Sequence, residues 1–397
     1  MLSDTARPVI EATLPIVAGR IGEITPVFYQ KLFAAHPELL NGVFSRANQA
    51  NGEQRQALAG AIGAFATHLV QYPGTLPEAV LSRIANKHAS LGITEDQYAI
   101  VYRYLFEAIA EDLGDAVTPE VASAWSEVYW LMADALIKIE KGLYAKQAND
   151  VMWAAWRVVQ KTPASASTMT FVLEPADETP VTPGRAGQYV SVRIPVADGL
   201  LQARQYTLSA DAESTERRVF TTKFNDGGEV SPVLHAQVGV GDVVELSNPY
   251  GDVILDEGDG PIVLASAGIG CTPSASILRS LAATGSGREV LVLHADRSLG
   301  DWALSGQMLG DIGRIDDAEL HLWLEQPGDQ AVEGTATARA GFMSLADVAL
   351  PEDAHLYLCG PLPFMQKVRS EAIALGVPAR KIRYEVFGPD LWLATSN

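Results

Sequence analysis

The spacing of apolar residues changes twice along this chain, and those two changes constrain the fold more than any other feature. Residues 1–148 place apolar side chains three and four positions apart, as amphipathic helices do. Residues 149–258 carry short alternating segments rich in β-branched residues, and residues 259–397 alternate short apolar runs with helical patterns. The chain of 397 residues is therefore predicted to form three domains with these boundaries.

The first segment is predicted to be all α-helical. One amphipathic helix is marked by Leu58, Ile62, Phe65 and Leu69. A long final helix is marked by Trp125, Tyr129, Met132, Leu136, Ile139 and Leu143. Prolines punctuate the helices at starts and turns, at Pro37, Pro73, Pro77 and Pro119.

The two later segments differ in how their strands are connected. In the second, turn residues separate "WRVVQKT", "TMTFVLEP", "QYVSVRIP", "RVFTTKF" and "DVVELSNP" at short intervals, which predicts an antiparallel barrel or sandwich. In the third, "PIVLASAG", "EVLVLHAD", "AELHLWLEQ" and "HLYLCGP" alternate with helical patterns. That order predicts an α/β domain with a parallel sheet covered on both faces.

Charge and cysteine content restrict the classes of partner. The 29 Lys and Arg against 48 Asp and Glu give a net charge of −19, which disfavours nucleic acid and anionic lipid surfaces. Cys271 and Cys359 lack metal-ligand spacing, so neither a disulfide framework nor a zinc or iron–sulfur site is expected. The longest uncharged run, 261–278, is broken by two glycines and a proline, so no membrane span is expected. No secretory signal is visible either, so a reducing cytoplasm is expected. The chain is also expected to be a monomer.

A glycine-rich turn, "GIGCTP", follows a predicted strand and opens a predicted helix. Its residues are Gly268, Ile269, Gly270, Cys271, Thr272 and Pro273. Glycines there let backbone amides approach a pyrophosphate, whose charge is favoured at a helix N-terminus. Pro273 replaces the third glycine of the usual motif, and a purely structural tight turn remains the alternative.

Two further motifs strengthen the nucleotide hypothesis. In "RQYTL", Arg204 offers a guanidinium for a diphosphate, Tyr206 a flat face for an aromatic ring, and Thr207 a hydroxyl for a ring nitrogen. Singly, these residues are equally compatible with a salt-bridged arginine, a core tyrosine and an edge threonine. The chain ends with an aromatic motif, "YEVFGP". The order of these motifs is hard to obtain by chance.

Residues from about 152 to 397 resemble the ferredoxin–NADP reductase family, in which an FAD-binding β-barrel precedes a nicotinamide-binding α/β domain. The resemblance implies that FAD is held by Tyr189, Arg204, Gln205, Tyr206 and Thr207. It implies that Gly268 to Pro273 take the pyrophosphate of NAD(P)H, with Cys359, Gly360 and Pro361 near the nicotinamide. The terminal cofactor-binding residues are then Val386, Phe387, Gly388 and Pro389, with Phe387 against the flavin ring.

A histidine lies on the apolar face of one predicted helix. Leu81, Ile84, His88 and Leu91 recur at helical spacing, so the His88 side chain should point where its neighbours are shielded from water. On that evidence alone, a satisfied core histidine is favoured over a metal ligand. Glu140 is a second unusual residue, because it shares the flank of the final helix with apolar side chains. It needs a partner if it is buried; a rim charge is the alternative.

The whole chain resembles the flavohaemoglobin family, in which a globin precedes such a reductase. The resemblance rests on Tyr29, Phe44, Gln54, Leu58, Lys87, His88, Tyr98 and Glu140. It implies that His88 is the proximal ligand of haem iron, that Glu140 and Tyr98 orient its ring, and that Tyr29 and Gln54 reach bound dioxygen. It also implies that Leu58 restricts the pocket and Phe44 contacts the porphyrin, while Lys87 lies where haem and flavin domains meet. The other six histidines have no comparable neighbours in sequence.

The resemblance implies nitric oxide dioxygenation, in which NAD(P)H, FAD and haem b supply the electrons that convert NO and O₂ to nitrate. Two alternatives remain: NADH-dependent reduction of another acceptor, in peroxide or D-lactate and quinone chemistry, and an oxygen-binding store or sensor. The choice of NADH or NADPH is also open. Asp296 opposes a 2′-phosphate, whereas Arg297 and Ser298 favour one. The resemblance favours NADH.

Overall fold

The computed structural model describes residues 1–46, 52–327 and 337–388, and these form two compact units. Among the described residues, the first unit holds 1–46, 52–152, 193–203 and Gly388. The second holds 153–192, 204–327 and 337–387.

The first unit is helical, as the sequence predicts. Its α-helices are α1 (Ala6–Ala35), α2 (Glu53–Gln71), α3 (Glu78–Leu91), α4 (Glu95–Leu113) and α5 (Pro119–Tyr144). A short 3₁₀ helix, Pro37–Leu40, follows α1. Apolar side chains of the helices pack into two clusters, one around Phe65, Leu81 and Leu136 and one around Phe28, Tyr29 and Leu105.

Local sequence signals set the ends of the helices that carry the predicted site. Gly92 ends α3 with a φ of +77°, a conformation that glycine adopts without strain. Thr94 and Gln97 form a capping box at the start of α4. The Thr118 hydroxyl accepts a hydrogen bond from the Val121 amide at the start of α5.

The antiparallel strands of the second segment close into a barrel rather than a sandwich. Its strands are β1 (Ala154–Ser165), β2 (Thr168–Pro175), β3 (Tyr189–Pro195), β4 (Leu201–Ala210), β5 (Arg218–Lys223) and β6 (Val243–Leu246). They follow the order β1-β2-β5-β4-β3-β6 around the barrel. A helix that the alternation does not predict, α6 (Val230–Ala236), lies between β5 and β6 in sequence.

A parallel six-stranded sheet follows, as predicted. Its strands are β7 (Ile262–Ala267), β8 (Val290–Asp296), β9 (Ala318–Leu324), β10 (Thr337–Ala340), β11 (His355–Cys359) and β12 (Ile382–Glu385). The associated helices are α7 (Cys271–Thr284), α8 (Ser305–Ile312) and α9 (Leu362–Ala374). In the order β10-β9-β8-β7-β11-β12, the chain reverses its direction of progress between β7 and β11. Open α/β sheets bind ligands at such a switch point.

No helix in the described parts of the chain is long and apolar enough to cross a membrane.

Candidate functional site

His88 lies in the last turn of α3 and takes part in a hydrogen-bonded set with two other helices. Its Nδ1 atom is 3.0 Å from Glu140 Oε1 and 2.9 Å from the Tyr98 hydroxyl. That hydroxyl donates to the same carboxylate oxygen at 2.5 Å. Because the carboxylate is an acceptor, the Nδ1 position carries the proton, and Nε2 is the nitrogen available to a metal ion.

Helical periodicity explains why the Glu140 carboxylate lies in the interior. Glu140 follows Ala133, Leu136 and Ile137 on the buried face of α5 and is only 3% exposed. The buried carboxylate therefore has the partners that its environment requires, in place of the rim position that was the alternative. Burial, followed by the charge of Glu140, raises the pKa of Tyr98 above its ordinary value, so Tyr98 remains a neutral donor.

Tyr129 is a supporting residue that the sequence analysis missed as part of this set. Its hydroxyl donates to the backbone carbonyl of Tyr98 at 2.6 Å. The bond joins α4 to α5 at the position of the tyrosine that contacts His88. In sequence, Tyr129 reads only as an apolar-face residue of α5, because its partner lies 31 positions away.

Three of the predicted distal residues, Tyr29, Phe44 and Leu58, share one cluster of the first unit. Phe44 and Leu58 both pack against the cluster that contains buried Tyr29, and the Phe44 ring meets the Tyr29 ring edge-on with centroids 6.0 Å apart. Gln54 begins the turn of α2 that leads to Leu58, and its Oε1 atom is buried without a hydrogen-bond partner. An unmatched acceptor beside an apolar cluster suits a ligand that donates or bridges a hydrogen bond.

These residues fit haem. Within the described ranges there is no group of three or more His, Cys, Asp or Glu side chains that suits a bare metal ion. Haem iron needs only one protein ligand, and His88 is oriented for that role by its Nδ1 bonds. Lys87, the preceding residue, donates from Nζ to the Gly388 carbonyl at 2.5 Å, inside the first unit.

The predicted flavin residues lie on β3 and β4. The Gln205 amide donates to Ser191 Oγ at 2.9 Å, and the Tyr206 ring stacks on Phe220 at 5.4 Å. Burial lowers the pKa of Arg204 and raises the pKa of Tyr206, yet the guanidinium remains charged at neutral pH. These contacts hold the motif in place. Thr207 differs from them, because its buried hydroxyl has no hydrogen-bond partner.

Thr207 gives the test of whether this motif fits FAD. It is 3% exposed, and its hydroxyl is buried with no hydrogen-bond partner. A hydroxyl in that position costs stability unless a ligand pairs with it, and a flavin nitrogen or carbonyl provides such a pair. Tyr189 is also buried, and the nearby Gly251 leaves room for its ring, since a Cβ there would lie 3.2 Å from it. The residues present therefore fit FAD.

The glycine turn and the "CGP" motif lie side by side at the switch point of the parallel sheet. β7 and β11 pair with Ser266 opposite Cys359, so both motifs follow the carboxyl ends of neighbouring strands. A Cβ on Gly270 would lie 2.4 Å from the Cys359 carbonyl oxygen, so only glycine permits this approach. The turn leads directly into α7, whose first residues, Cys271, Thr272 and Pro273, are buried. Gly268, Ile269, Gly360 and Pro361 complete the two motifs.

The end of β12 adds a residue that sequence reasoning missed. Glu385 is 6% exposed and lies opposite Cys359 in the β11–β12 pairing. The sequence did contain an indication of this residue, namely a carboxylate within the apolar pattern of a terminal strand. Beyond it, Val386 is partly buried and the Phe387 side chain is 47% exposed, while Pro389 lies outside the described residues.

One of the other six histidines has comparable neighbours in the structure, although the sequence indicated none. His355 also belongs to a tyrosine–carboxylate–histidine set, since Asp256 Oδ2 lies 2.7 Å from both His355 Nδ1 and the Tyr357 hydroxyl. Strand alternation places His355 and Tyr357 on one face of β11. Asp256 is 99 positions from His355 in the chain, so no sequence spacing indicated the contact.

Comparison with known families and proteins agrees with both halves of the chain. Residues 27–136 match the globin family, and residues 155–254 match the oxidoreductase FAD-binding domain family. A flavohemoprotein of Chromobacterium violaceum is 43% identical over 403 aligned positions, covering 98% of each chain. A flavohemoprotein of Rhizobium meliloti is 39% identical and covers 99% of this chain and all of its own.

Two solved structures are also similar. The flavohemoglobin of Malassezia yamatoensis, which was determined with bound FAD and heme, superposes with a TM-score of 0.92 and 44% identity over 98% of this chain and all of its own. The FAD/NAD-binding domain of a nitric oxide dioxygenase from Vibrio cholerae gives a TM-score of 0.55 and 34% identity, covering 60% of this chain and all of that domain. Full-length identity of this degree, together with the globin and flavin-domain matches, shows that this chain belongs to the flavohemoprotein family.

Proposed function

We propose that this protein is a nitric oxide dioxygenase that uses NAD(P)H to convert NO and O₂ to nitrate. The observation that carries the proposal is the His88–Glu140–Tyr98 set, which occurs in the same chain as a flavin motif and a nicotinamide motif. A store or sensor of oxygen needs no flavin and nicotinamide pair. The relative from Vibrio cholerae, a domain of a nitric oxide dioxygenase, supports the same choice.

The reaction requires cofactors of complementary electron capacity. When bound, nicotinamide supplies a hydride, FAD divides its two electrons, and haem supplies the one-electron and oxygen chemistry. Oxidation of NO to nitrate releases three electrons and reduction of O₂ takes up four, so each NO requires one electron from the nucleotide. One NADH therefore serves two NO molecules.

The proximal residues set the character of the iron ligand. Glu140 holds the proton on His88 Nδ1, which fixes the tautomer and leaves Nε2 as the metal-binding nitrogen. An anionic acceptor on Nδ1 also makes the ring a stronger electron donor. Tyr98 donates to the same oxygen and keeps the carboxylate in place.

We assign the distal residues to the oxygen ligand. With haem and oxygen bound, the Tyr29 hydroxyl would donate a hydrogen bond that favours negative charge on oxygen, and Gln54 would support it. Phe44 and Leu58 pack beside Tyr29 and keep the pocket apolar and narrow. Lys87 is adjacent to His88 in sequence, and its Nζ atom donates to the Gly388 carbonyl.

We assign the second unit to reduction of the flavin. Thr207 and Arg204 bind FAD through its ring and diphosphate, and the stacked Tyr206 supports the ring. The resemblance adds six cofactor residues, Tyr189, Gln205, Val386, Phe387, Gly388 and Pro389, of which Gly388 belongs to the first unit and Pro389 lies outside the described residues. The adjacent glycine turn and "CGP" motif take the nicotinamide nucleotide, in agreement with their place at the switch point of the sheet.

The surroundings of Asp296 favour NADH. Asp296 ends β8, and its Oδ2 atom lies 3.5 Å from His294 Nε2. An acidic side chain at this position suits a ribose hydroxyl better than a phosphate. Arg297 and Ser298, the two residues that would favour a phosphate, already interact with Asp301. Its carboxylate is 2.8 Å from Arg297 and 2.7 Å from Ser298 Oγ.

The proposal includes three domains, a haem domain at 1–148, an FAD domain at 149–258 and a nicotinamide domain at 259–397, in a cytoplasmic monomer. The family matches at 27–136 and 155–254 lie inside the first two ranges. The free thiols of Cys271 and Cys359 suit a reducing compartment.

The proposal is tested with the full chain loaded with haem and FAD in aerated buffer. An NO electrode follows NO, absorbance follows NADH, and nitrate is counted as product. We expect rapid NO loss, nitrate equal to the NO consumed, and two nitrates per NADH. Oxidation of NADH without NO removal would instead indicate a reductase of another acceptor. Absence of sustained NADH turnover would indicate a store or sensor.

A further inference from the structure

Phe44, the proposed porphyrin contact, lies in a short segment of the first unit. A side chain from β4 holds this segment in place. Gln202 is fully buried, and its Nε2 atom donates to the Leu40 carbonyl at 2.9 Å. Its Oε1 atom accepts from the Arg46 amide at 3.2 Å. One carboxamide therefore joins both ends of the segment Leu40–Arg46, and all of these residues belong to the first unit.

Further contacts converge on the same segment. The Asn41 side chain accepts from the Leu201 amide at 2.8 Å, and the Arg46 guanidinium pairs with Asp198. Gly42 has a φ of +96°, and a Cβ there would lie 3.4 Å from the Arg193 side chain. The segment Arg193–Ala203, which comprises the end of β3, the connecting turn and the start of β4, thus belongs to the first unit.

Phe44 connects this segment with the distal tyrosine. The Phe44 amide donates to the Leu39 carbonyl at 3.0 Å, and its ring contacts both Phe33 and Tyr29. Leu40 and Arg46, the two residues that Gln202 joins, flank Phe44 in sequence. A shift of either end of the segment moves the ring that borders Tyr29.

We propose that Gln202 is a positioning residue for the distal pocket, which fixes Phe44 and, through it, the Tyr29 hydroxyl. The inference rests on the proposed haem site and on the proposed role of Tyr29. Gln202 lies at the beginning of β4, far in sequence from the haem-site residues. We expect it nevertheless to influence how strongly oxygen is retained.

Carboxamide chemistry provides a specific test. In Gln202→Glu, an ionised carboxylate cannot donate to Leu40, whereas a protonated carboxyl group has one donor and one acceptor and restores both bonds. Burial raises the pKa of such a glutamate, and the charged side chains near the segment are Arg46, Arg193 and Asp198. Gln202→Leu removes both bonds at every pH.

The measurement is the rate of O₂ dissociation from the reduced, haem-loaded full chain, followed by stopped flow with excess CO at pH 6 and pH 8. We expect Tyr29→Phe to accelerate dissociation about tenfold at both pH values, because one strong hydrogen bond is lost. Gln202→Leu should accelerate it about three- to tenfold at both values. Gln202→Glu should match Gln202→Leu at pH 8 and approach the unmodified protein at pH 6.

Gln307→Glu is the matched control, because the Gln307 amide also donates to a backbone carbonyl, that of Ser209, at 2.8 Å in the second unit. Its dissociation rate should equal that of the unmodified protein at both pH values. In a Phe44→Leu background, the effect of Gln202→Leu should shrink, because the two residues act in series.

The outcomes separate this inference from the proposed function. If Tyr29→Phe dissociates faster while Gln202→Glu shows no pH-dependent change, the positioning role is wrong and the haem site stands. If Tyr29→Phe itself leaves the rate unchanged, the proposed role of Tyr29 is wrong. Reversal of the Gln202→Glu defect within one sample, on moving from pH 8 to pH 6, excludes irreversible misfolding as its cause.

Discussion

The molecule contains two tyrosine–carboxylate–histidine sets with similar hydrogen bonds and different surroundings. In the helical unit, the oxygen of Glu140 lies 3.0 Å from His88 Nδ1 and 2.5 Å from the Tyr98 hydroxyl. In the parallel-sheet region, Asp256 lies 2.7 Å from both His355 Nδ1 and the Tyr357 hydroxyl. The difference lies in what else reaches each carboxylate.

The Asp256 carboxylate has a permanent cation beside it. Arg288 is 3.2 Å from its other oxygen, and the Gly258 amide donates to it at 2.9 Å. Burial raises the pKa of Asp256, but the Tyr357 and Gly258 hydrogen bonds and the charges of Arg288 and His355 prevail and lower it to about 2. The set ties the loop before β7 to the sheet.

The Glu140 carboxylate is more deeply buried, at 3% exposure, and both recorded contacts converge on one oxygen. Its charge therefore acts on the His88 ring rather than on an arginine. The same three side-chain types thus form a structural tie where an arginine balances the carboxylate, and they orient a proposed metal ligand where, among the described residues, no arginine does so.

The largest expected difference between the sets is in haem binding. His88→Ala should reduce the bound haem to below about a tenth of the protein while FAD is retained, because the axial ligand is lost. The matched change His355→Ala should leave haem stoichiometry intact. The Soret and flavin absorbances of both variants give the answer. Normal haem content in His88→Ala would contradict the assignment of His88 as the iron ligand.

The next effect is on the stability of the sheet set. Asp256→Asn leaves the largely buried Arg288 without its carboxylate, so we expect the free energy of unfolding to fall by about 2–4 kcal/mol at pH 7. The measurement is denaturant unfolding followed by flavin fluorescence. Equal stability of the two proteins at pH 7 would contradict the assigned ion pair.

The pH dependence of this effect has a defined sign. Because the pKa of Asp256 is lowered in the folded state to about 2, its contribution is present above the unfolded pKa of about 3.9 and is lost as pH falls through the folded value. The gap between the unmodified protein and Asp256→Asn should therefore narrow below about pH 4. A gap that widens there would reverse the assignment.

Removing the tyrosine hydroxyls should cost less. Tyr98→Phe and Tyr357→Phe each withdraw a donor from a carboxylate and should lower stability by about 1.5–3 kcal/mol. Only Tyr98→Phe should also alter the haem spectrum, because only that carboxylate orients a metal ligand. Unfolding curves and absorption spectra of the two variants are compared. A spectral change in Tyr357→Phe would break the distinction between the sets.

The smallest expected free-energy effect is on the haem midpoint potential, which reports how strongly the His88 ring donates electrons. Glu140→Gln keeps an acceptor for His88 but removes the negative charge, so the haem midpoint potential should rise on the order of 50 mV, about 1 kcal/mol. Asp256→Asn is the control and should not change that potential. Spectroelectrochemical titration measures both. An unchanged potential in Glu140→Gln would show that its charge does not tune the iron.

Regular periodicity allowed much of the fold to be predicted. "TMTFVLEP" corresponds to β2 residue for residue, and the final helix lies where its apolar spacing predicted it. Among the elements missed, β10, β12, α6 and α8 have four to eight residues, too few to establish a period. The alternation left barrel and sandwich unresolved, because strand order depends on pairing rather than on sequence spacing.

Some residues of the candidate site could likewise be predicted from sequence periodicity, and others could not. Glu140 could be singled out because a carboxylate interrupts an apolar helical face. The contacts of Gln202 with Leu40 and Arg46 span 162 and 156 positions, and nothing in a strand-like "LQARQ" indicates them. Tyr129 and Asp256 were missed for the same reason, because their partners are brought together only by packing and strand pairing.

The central claim is that NO and O₂ react as a dioxygenation, and isotope labelling tests it most directly. The haem- and FAD-loaded protein is supplied with NADH, unlabelled NO and ¹⁸O₂, and the nitrate is analysed by mass spectrometry. Dioxygenation predicts that both atoms of one O₂ molecule enter each nitrate. Nitrate with one labelled oxygen or none, or NADH oxidation that produces no nitrate, would contradict the account.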